Sequence, residues 1–270
     1  MYAALLKHEA RLQARPLLSF LGIALAVFAG GLAAMLLRVP LLAEFGNVAA
    51  IIVCLLLAVG VPAHLLHRYY TSMYGREGYL THVIPAKHTA LYAAKFTWAA
   101  GVWAASLLLT LALAYGIAVA QTITAGGTAS DTWAALATAL ANANQTALAL
   151  GIAWIAVGLL TYVAQFGWVV TFGMEDRFRS LGLGGPVVVW FVSYLVMQVV
   201  TFAAMVLIPV GVTPDFSELV FASFLGELPK AFANEDPSFI PLGWLPVILV
   251  ALPVYVIWTL HSLKKHTSLR

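Results

Sequence analysis

Long stretches without a charged residue dominate the hydrophobic pattern of this chain and recur along its whole length. Each is close to the roughly 20 apolar residues that a membrane-crossing helix needs. Backbone N–H and C=O groups must pair within such a segment, and the alternating pattern of a β-barrel is absent, so we expect helices. The predicted spans are residues 17–37, 47–66, 97–120, 147–172, 186–208 and 242–262.

The composition agrees with this pattern, since 62% of the residues are hydrophobic and only 9% are charged. A soluble domain has about a quarter of its residues charged, so soluble and disordered classes are excluded. The net charge is +3, but the basic residues are dispersed at segment ends and form no stripe for nucleic acid. The single Cys54 excludes an intrachain disulfide and a thiolate metal cluster.

The basic residues also predict the orientation of the chain. With the N-terminus inside, twelve of the 14 Lys and Arg lie in cytoplasmic segments, and only Arg38 and Lys230 lie outside. Cytoplasmic loops carry the excess of Lys and Arg, so we expect both termini in the cytoplasm. The first apolar run follows a charged stretch longer than a usual signal-peptide leader, so we expect this span to be retained.

The residues before the first span carry a helical pattern of their own. Lys7, Arg11 and Arg15 recur every four residues and share one stripe, whereas Leu5 and Leu12 share another. This pattern predicts an interfacial helix over residues 1–16, with a bend into the first span at Pro16. The alternative is a plain cytoplasmic extension of the first span.

The segment after the second span, residues 68–95, contains the sequence YGREGYLTHVIPAKH. Gly75 and Gly78 permit a tight turn. A helix that starts after this turn would end at Pro85. The segment therefore predicts a short amphipathic helix on the cytoplasmic side. Its apolar positions are Tyr79, Leu80, Val83 and Ile84.

This segment resembles the first cytoplasmic loop of ABC-2-type permeases, the membrane subunits of one class of bacterial ABC exporters. The matching residues are Glu77, Gly78, Tyr79 and Leu80, and the family's common Leu-Pro stop is replaced by Ile84-Pro85. The resemblance implies one permease domain over residues 1–270. It implies an all-α fold with an interfacial N-terminal helix, six spans, a coupling helix after the second span and short re-entrant helices before the sixth.

By this resemblance the chain is the permease subunit of an ATP-driven exporter in the bacterial plasma membrane. A separate ATP-binding subunit, which binds ATP and Mg, docks on the coupling helix. A second copy of the chain or a related permease completes the translocation path, and the substrate is a hydrophobic or amphipathic lipid, peptide or drug. The implied contact residues are Gly75, Arg76, Glu77, Gly78, Tyr79, Leu80 and Pro85.

The chain shows no energy source or enzyme motif of its own. It has no GxxxxGK[ST] phosphate loop, and no charged residue lies inside a predicted span to relay protons or sodium. His64 and His67 are three apart, but no HExxH arrangement accompanies them, so we expect no metal site, no cofactor and no enzyme activity in this chain. The alternative is a polytopic intramembrane enzyme or a non-transporting assembly protein.

Uncharged polar residues mark the predicted fifth span. Tyr194, Gln198 and Thr201 share one helical face and are candidates to line a translocation path. The alternative for such residues, as for Gln165 and Ser193, is interhelical hydrogen bonding, which is commoner in membrane proteins.

The predicted outer loop, residues 210–241, is too long for a simple turn. Apolar residues recur in it at helical spacing, interrupted at Pro229, which predicts a helix that packs back onto the membrane. A flap that binds a partner is the alternative. The residues of this stripe are Phe221, Phe224, Leu225, Leu228 and Phe232.

Overall fold

The structure is a computed structural model of the chain. It describes residues 1–75, 77–83, 86–182, 184–214, 218–227, 229–230 and 238–265. The helices of the described residues are α1 Tyr2–Leu36, α2 Pro40–Leu55, α3 Val61–Met73, α4 Gly78–Val83, α5 His88–Thr124, α6 Ala129–Asn142, α7 Gln145–Gly173, α8 Gly184–Leu207 and α9 Trp244–Lys265.

Six helical segments are long and apolar enough to cross a membrane, and each overlaps one predicted span. They are α1, the run from α2 to α3, α5, α7, α8 and α9. Many of their large apolar side chains are exposed, among them Ile23, Leu108 and Val199, as lipid-facing positions would be. The prediction of a mainly helical chain with six segments able to cross a membrane is therefore confirmed.

Contacts between residues divide the chain into two compact units. Unit 1 is Met1–Asn142 and unit 2 is Ala143–Arg270. Each unit contains three of the six spanning segments. The single permease domain implied by the resemblance stays a prediction.

In unit 1, α1 is one continuous helix of 35 residues that passes through Pro16. The sequence predicts instead a separate interfacial helix over residues 1–16. Proline removes one backbone hydrogen bond, but the helix continues on both sides of it. At about 1.5 Å per residue, α1 is about 52 Å long, well beyond a hydrocarbon core of about 30 Å. The predicted basic stripe is exposed, as its residues Lys7, Arg11 and Arg15 show.

The helices α1 and α2 form an antiparallel hairpin with a very close crossing. A Cβ atom on Gly46 would lie 2.4 Å from the carbonyl oxygen of Gly31, and one on Gly31 would lie 2.7 Å from the carbonyl oxygen of Gly46. Small residues allow backbones to approach in this way in membrane helices. Arg38, in the turn, has a φ of 57°, and its Nη2 donates to Ile123 O at the end of α5.

Between α2 and α3 the helix widens into a π segment, Leu56–Gly60. Pro62 follows it and has no N–H to donate, so the regular hydrogen-bond ladder cannot continue through this turn. The hydroxyl of Ser106, on α5, donates to Leu57 O at 2.6 Å. The π segment is thus tied to α5 inside the core of unit 1.

Unit 1 also contains α6, a helix in the connection between the predicted spans 97–120 and 147–172, for which the sequence pattern predicts no helix. Its N-terminus is capped, because the N–H of Thr128 donates to Asp131 Oδ2 at 2.7 Å. This hydrogen bond, from a backbone N–H to the carboxylate, holds the pKa of Asp131 below its ordinary value. Asp131 thus contributes to the stability of the cap at neutral pH.

In unit 2, α7 packs against α9 and α8. Aromatic rings fill the contact between α7 and α9. Trp168 lies 5.2 Å from Tyr255 and 5.2 Å from Trp258, measured between ring centroids. Trp154 contacts Trp244 near the start of both helices, with centroids 4.3 Å apart.

The segment between α8 and α9 contains three two-residue strands. The strands are β1 Gly211–Val212, β2 Leu219–Val220 and β3 Ile240–Pro241, in the antiparallel order β2-β1-β3.

The helix predicted to start at Phe221 does not begin there. Phe221 lies outside any helix, and Phe224–Gly226 form a single 3-10 turn. Leu228 and Phe232 lie outside the described residues, so the re-entrant helices stay unconfirmed. In the same loop the N–H of Ser238 donates to Glu227 and, together with Lys230, holds the pKa of that carboxyl below its ordinary value.

Candidate functional site

The candidate site is the loop that joins α3 to α5, and two glycines set its geometry. The N–H of Gly75 donates to Tyr70 O, and the N–H of Gly78 donates to Gly75 O. A Cβ atom on Gly75 would lie 2.8 Å from Thr71 O, and one on Gly78 would lie 2.7 Å from Met73 O. Because glycine has no Cβ atom, the backbone can approach this closely at both positions and turn sharply from α3 into α4.

Two side-chain contacts brace α4 and Glu77, the residue before it, against α3. Both terminal nitrogens of Arg68 contact the carboxylate of Glu77, at 3.2 and 3.4 Å. The hydroxyl of Thr81 donates to Ser72 O at 2.7 Å. Glu77 therefore holds the loop to its own span, a role that the sequence motif does not reveal.

The short helix α4 occupies the position predicted for an amphipathic helix in this loop. Tyr79 is 64% exposed and Val83 is 60% exposed, so both present apolar surface outward. Arg76, Ile84 and Pro85 lie outside the described residues. Leu80 belongs to α4, but its side chain is likewise outside the described part.

Next to the loop lies a buried polar cluster, the Glu9–Lys95 cluster, formed by Glu9, Gln13, Ser72 and Lys95. Lys95 Nζ contacts Glu9 Oε1 at 2.5 Å and donates to Ser72 Oγ at 2.8 Å. Gln13 Nε2 donates to the other carboxylate oxygen of Glu9 at 3.0 Å. All four residues are buried, so the two charges compensate each other away from water.

Ser72 joins this cluster to the loop, since its hydroxyl faces Lys95 and its carbonyl accepts from Thr81. Contacts therefore run from α4 through the end of α3 to α1 and α5. The sequence pattern places Lys95 among the cytoplasmic charges and assigns no role to Glu9. A usable signal was present: Glu9 and Gln13, four apart, lie off the basic stripe of the same helix.

In unit 2 the polar residues of α8 fall on two faces. Ser193 is buried, and Gln165 Nε2 of α7 donates to its hydroxyl at 3.4 Å. This is interhelical hydrogen bonding, the alternative to a pathway lining for these two residues. Tyr194 and Gln198 are exposed and Thr201 is half-buried, so their role in a pathway stays a prediction.

An apolar cavity of about 670 Å³ lies among α7, α8 and α9. The α8 residues that line it, such as Val189 and Val196, lie on a different face from Tyr194, Gln198 and Thr201. Trp168 and Trp258 line its other walls. Its size is in the range of small-molecule pockets, and its lining would suit a hydrophobic occupant.

A second buried carboxylate lies where α7 ends. Glu175 accepts from Ser262 Oγ of α9 at 2.7 Å and from Arg177 Nε at 2.9 Å. The guanidinium of Arg177 lies 4.5 Å from the centroid of the Phe172 ring. These contacts join the connection between α7 and α8 to the end of α9.

Within the part of the chain that the structure describes, no three His, Cys, Asp or Glu side chains are grouped closely enough to hold a metal ion.

Comparisons with protein-family models, with curated proteins and with solved structures each found no match.

Proposed function

We propose that the chain is the membrane subunit of an ATP-driven exporter. In this proposal a separate ATP-binding subunit, carrying ATP and Mg, docks on the loop around α4. A second copy or a related permease completes the path, and both termini of each chain lie in the cytoplasm of a bacterium.

The observation that carries the proposal is the exposed apolar surface of a braced short helix. Tyr79 and Val83 face outward, while Thr81 of the helix and Glu77 directly before it make contacts with α3. A helix of six residues cannot persist in water by itself. An aromatic side chain on a rigid support, once a partner buries it, is the kind of residue that dominates the affinity of protein interfaces.

The apolar cavity of unit 2 supports the substrate class of the proposal. Its walls come from three spanning helices and are almost entirely hydrophobic. The apolar part of a lipid, amphipathic peptide or drug could enter it without leaving buried polar groups unpaired.

The first prediction tests the docking role of Tyr79. We expect that the tagged full-length chain, purified from its native membranes in mild detergent, retains a chain that binds ATP. Tyr79→Ala should lower that retention about tenfold or more, because loss of an aromatic anchor costs about 2 kcal/mol or more at an interface. Phe221→Ala, which removes an exposed aromatic ring far along the sequence, should leave retention unchanged.

Two results contradict the proposal. Wild-type protein that brings down no ATP-binding chain would favour the intramembrane enzyme or assembly protein instead. Equal retention by Tyr79→Ala and Phe221→Ala, with both variants present in the membrane at normal amounts, would remove α4 as the docking surface.

A further inference from the structure

The helix α6 has two opposite faces. Trp133, Leu136 and Leu140 lie at positions i, i+3 and i+7 of one stripe, and they are 60%, 38% and 44% exposed. Thr138 and Asn142 lie on the opposite side with Asp131. The apolar and the polar surfaces of the helix are therefore cleanly separated.

Little protein covers the apolar stripe. No residue of α6 is buried, and Thr132 alone among its residues is half-buried. The hydroxyl of Thr132 donates to Thr122 Oγ1 of α5 at 2.9 Å. This contact lies beside the stripe, and the side chains of Trp133, Leu136 and Leu140 are exposed.

A helix of 14 residues is marginal in water unless another surface buries its apolar face. The cap formed by Asp131 satisfies one N-terminal N–H group but covers none of the apolar stripe. The apolar stripe thus requires a further covering medium to keep the helix formed.

Short connections join both ends of α6 to candidate membrane spans, and they indicate which medium covers the stripe. Residues 125–128 join α6 to α5 and residues 143–144 join it to α7, and both neighbours are candidate membrane spans. Gly126, with a φ of 95°, and the hydrogen bond from Gly127 N to Thr122 O turn the chain sharply at the end of α5. Such short connections hold α6 at the membrane surface.

We propose that α6 lies in the membrane–water interface at the C-terminal end of α5, with Trp133, Leu136 and Leu140 inserted among lipid acyl chains. Asp131, Thr138 and Asn142 then face water. Tryptophan is enriched at this depth of membrane proteins. The occupant of the exposed stripe is the same bilayer that surrounds the spans.

The charge of α6 defines the kind of lipid surface involved. Residues 129–142 contain no Lys or Arg and one acidic residue, Asp131. Attraction to anionic head groups therefore contributes nothing, and apolar area drives insertion. We expect insertion into neutral lipid and no weakening by salt. The inference does not depend on an ATP-binding partner.

The test uses the full chain with Cys54→Ser, reconstituted in phosphatidylcholine vesicles. Spin labels are attached singly to Leu136→Cys and Leu140→Cys, and as matched controls to Thr138→Cys and Asn142→Cys. Collisions with oxygen, which concentrates in lipid, are compared with collisions with a water-soluble nickel chelate. We expect the ratio of oxygen to nickel collisions to be several-fold higher at residues 136 and 140, at both low and high salt.

Two outcomes overturn the inference. Equal ratios at all four positions would mean that the stripe faces water. Labels at residues 136 and 140 that are shielded from both reagents would assign the stripe to a protein surface, such as a second copy of the chain.

A second measurement avoids labels in the stripe. Leu136→Ser combined with Leu140→Ser should raise amide hydrogen exchange over residues 129–142 about tenfold or more in vesicles, because the helix loses its apolar anchor. Ala134→Ser combined with Ala135→Ser, on the sides of the polar face, should change it much less. Equal exchange in the two double variants contradicts insertion.

Discussion

At the scale of single residues, the notable feature of unit 1 is a buried ion pair in a chain with few charges. Glu9 and Lys95 are 86 positions apart and are 7% and 6% exposed. Desolvation of two charges is expensive, and the hydrogen bonds from Gln13 to Glu9 and from Lys95 to Ser72 offset part of that cost. The pair links α1 to α5, and breaking it by removing one partner leaves an uncompensated buried charge.

The second prediction follows from this balance. Lys95→Met leaves the Glu9 carboxylate buried without its cation, so we expect a loss of about 3 kcal/mol in the free energy of unfolding. Glu9→Gln should cost a similar amount. The double variant should recover most of the loss, because it buries no charge. Unfolding of the purified chain by titration with a denaturing detergent measures each value.

Lys87→Met is the matched control, because Lys87 is an exposed lysine near the start of the same helix. It should change the unfolding free energy by less than about 0.5 kcal/mol. A double variant that is as unstable as the sum of the two single variants would mean that the pair is not coupled.

At the scale of elements, the hairpin of α1 and α2 depends on two glycines whose neighbours are backbone atoms. Gly31 faces the Gly46 carbonyl, whereas for Gly30, one position earlier, no atom lies within 4 Å of an added Cβ. Backbone atoms cannot move aside as the end of a flexible side chain can, so a methyl group at residue 31 would force the helices apart.

The third prediction compares these adjacent glycines. Gly31→Ala should lower the unfolding free energy by about 1–3 kcal/mol through overpacking. Gly30→Ala should be neutral or stabilising by up to about 1 kcal/mol, since alanine is the better helix former. Thermal unfolding in detergent measures both. Equal midpoints for the two variants would show that the crossing is looser than described.

The elements also show which features the sequence could reveal. Uncharged runs gave the six spans directly, because membrane thickness sets their length. The pattern around Gly78 and Tyr79 predicted α4. In contrast, α6 lies within a nearly continuous uncharged region, so its stripe at Trp133, Leu136 and Leu140 was concealed among apolar neighbours. The two-residue strands before α9 are too short to leave any periodic signal.

The pairing of particular side chains is the other feature that the sequence does not predict. The contacts of Glu9 with Lys95, and of Arg68 with Glu77, depend on how helices pack and turn rather than on local pattern. In the same way the face of α8 that lines the cavity is distinguished from the face of Tyr194 only by the positions of α7 and α9. Sequence periodicity shows that two faces exist but not which neighbour each one meets.

At the scale of the whole molecule, contacts between helix ends show that the first and third spanning segments of each unit run in the same direction. In unit 1, the cluster at Glu9 and Lys95 joins the start of α1 to the start of α5, and Arg38 reaches Ile123 where both helices end. In unit 2, Glu175 and Ser262 join the ends of α7 and α9. The side of the membrane on which each end lies is predicted by the basic residues.

The fourth prediction tests that orientation. In a chain with Cys54→Ser, a cysteine at Ser180, which is exposed after α7, should stay unlabelled by an impermeant maleimide in intact cells. A cysteine at Glu218, exposed between α8 and α9, should react. The reason is the accumulation of Lys and Arg on the Ser180 side. Permeabilised cells provide the control, in which both positions should react. The reverse pattern in intact cells would invert the topology.

The close crossing of α1 and α2 has a consequence for biosynthesis. Both helices are complete once the ribosome has added Leu55, and their glycine contact requires nothing that follows. Lys95 is added only later, after about 2–8 seconds at ordinary rates of about 5–20 residues per second. During that interval Glu9 has no cationic partner from α5. We therefore expect the hairpin to assemble first in the translocon and the cluster at Glu9 to close only after α5 begins to emerge.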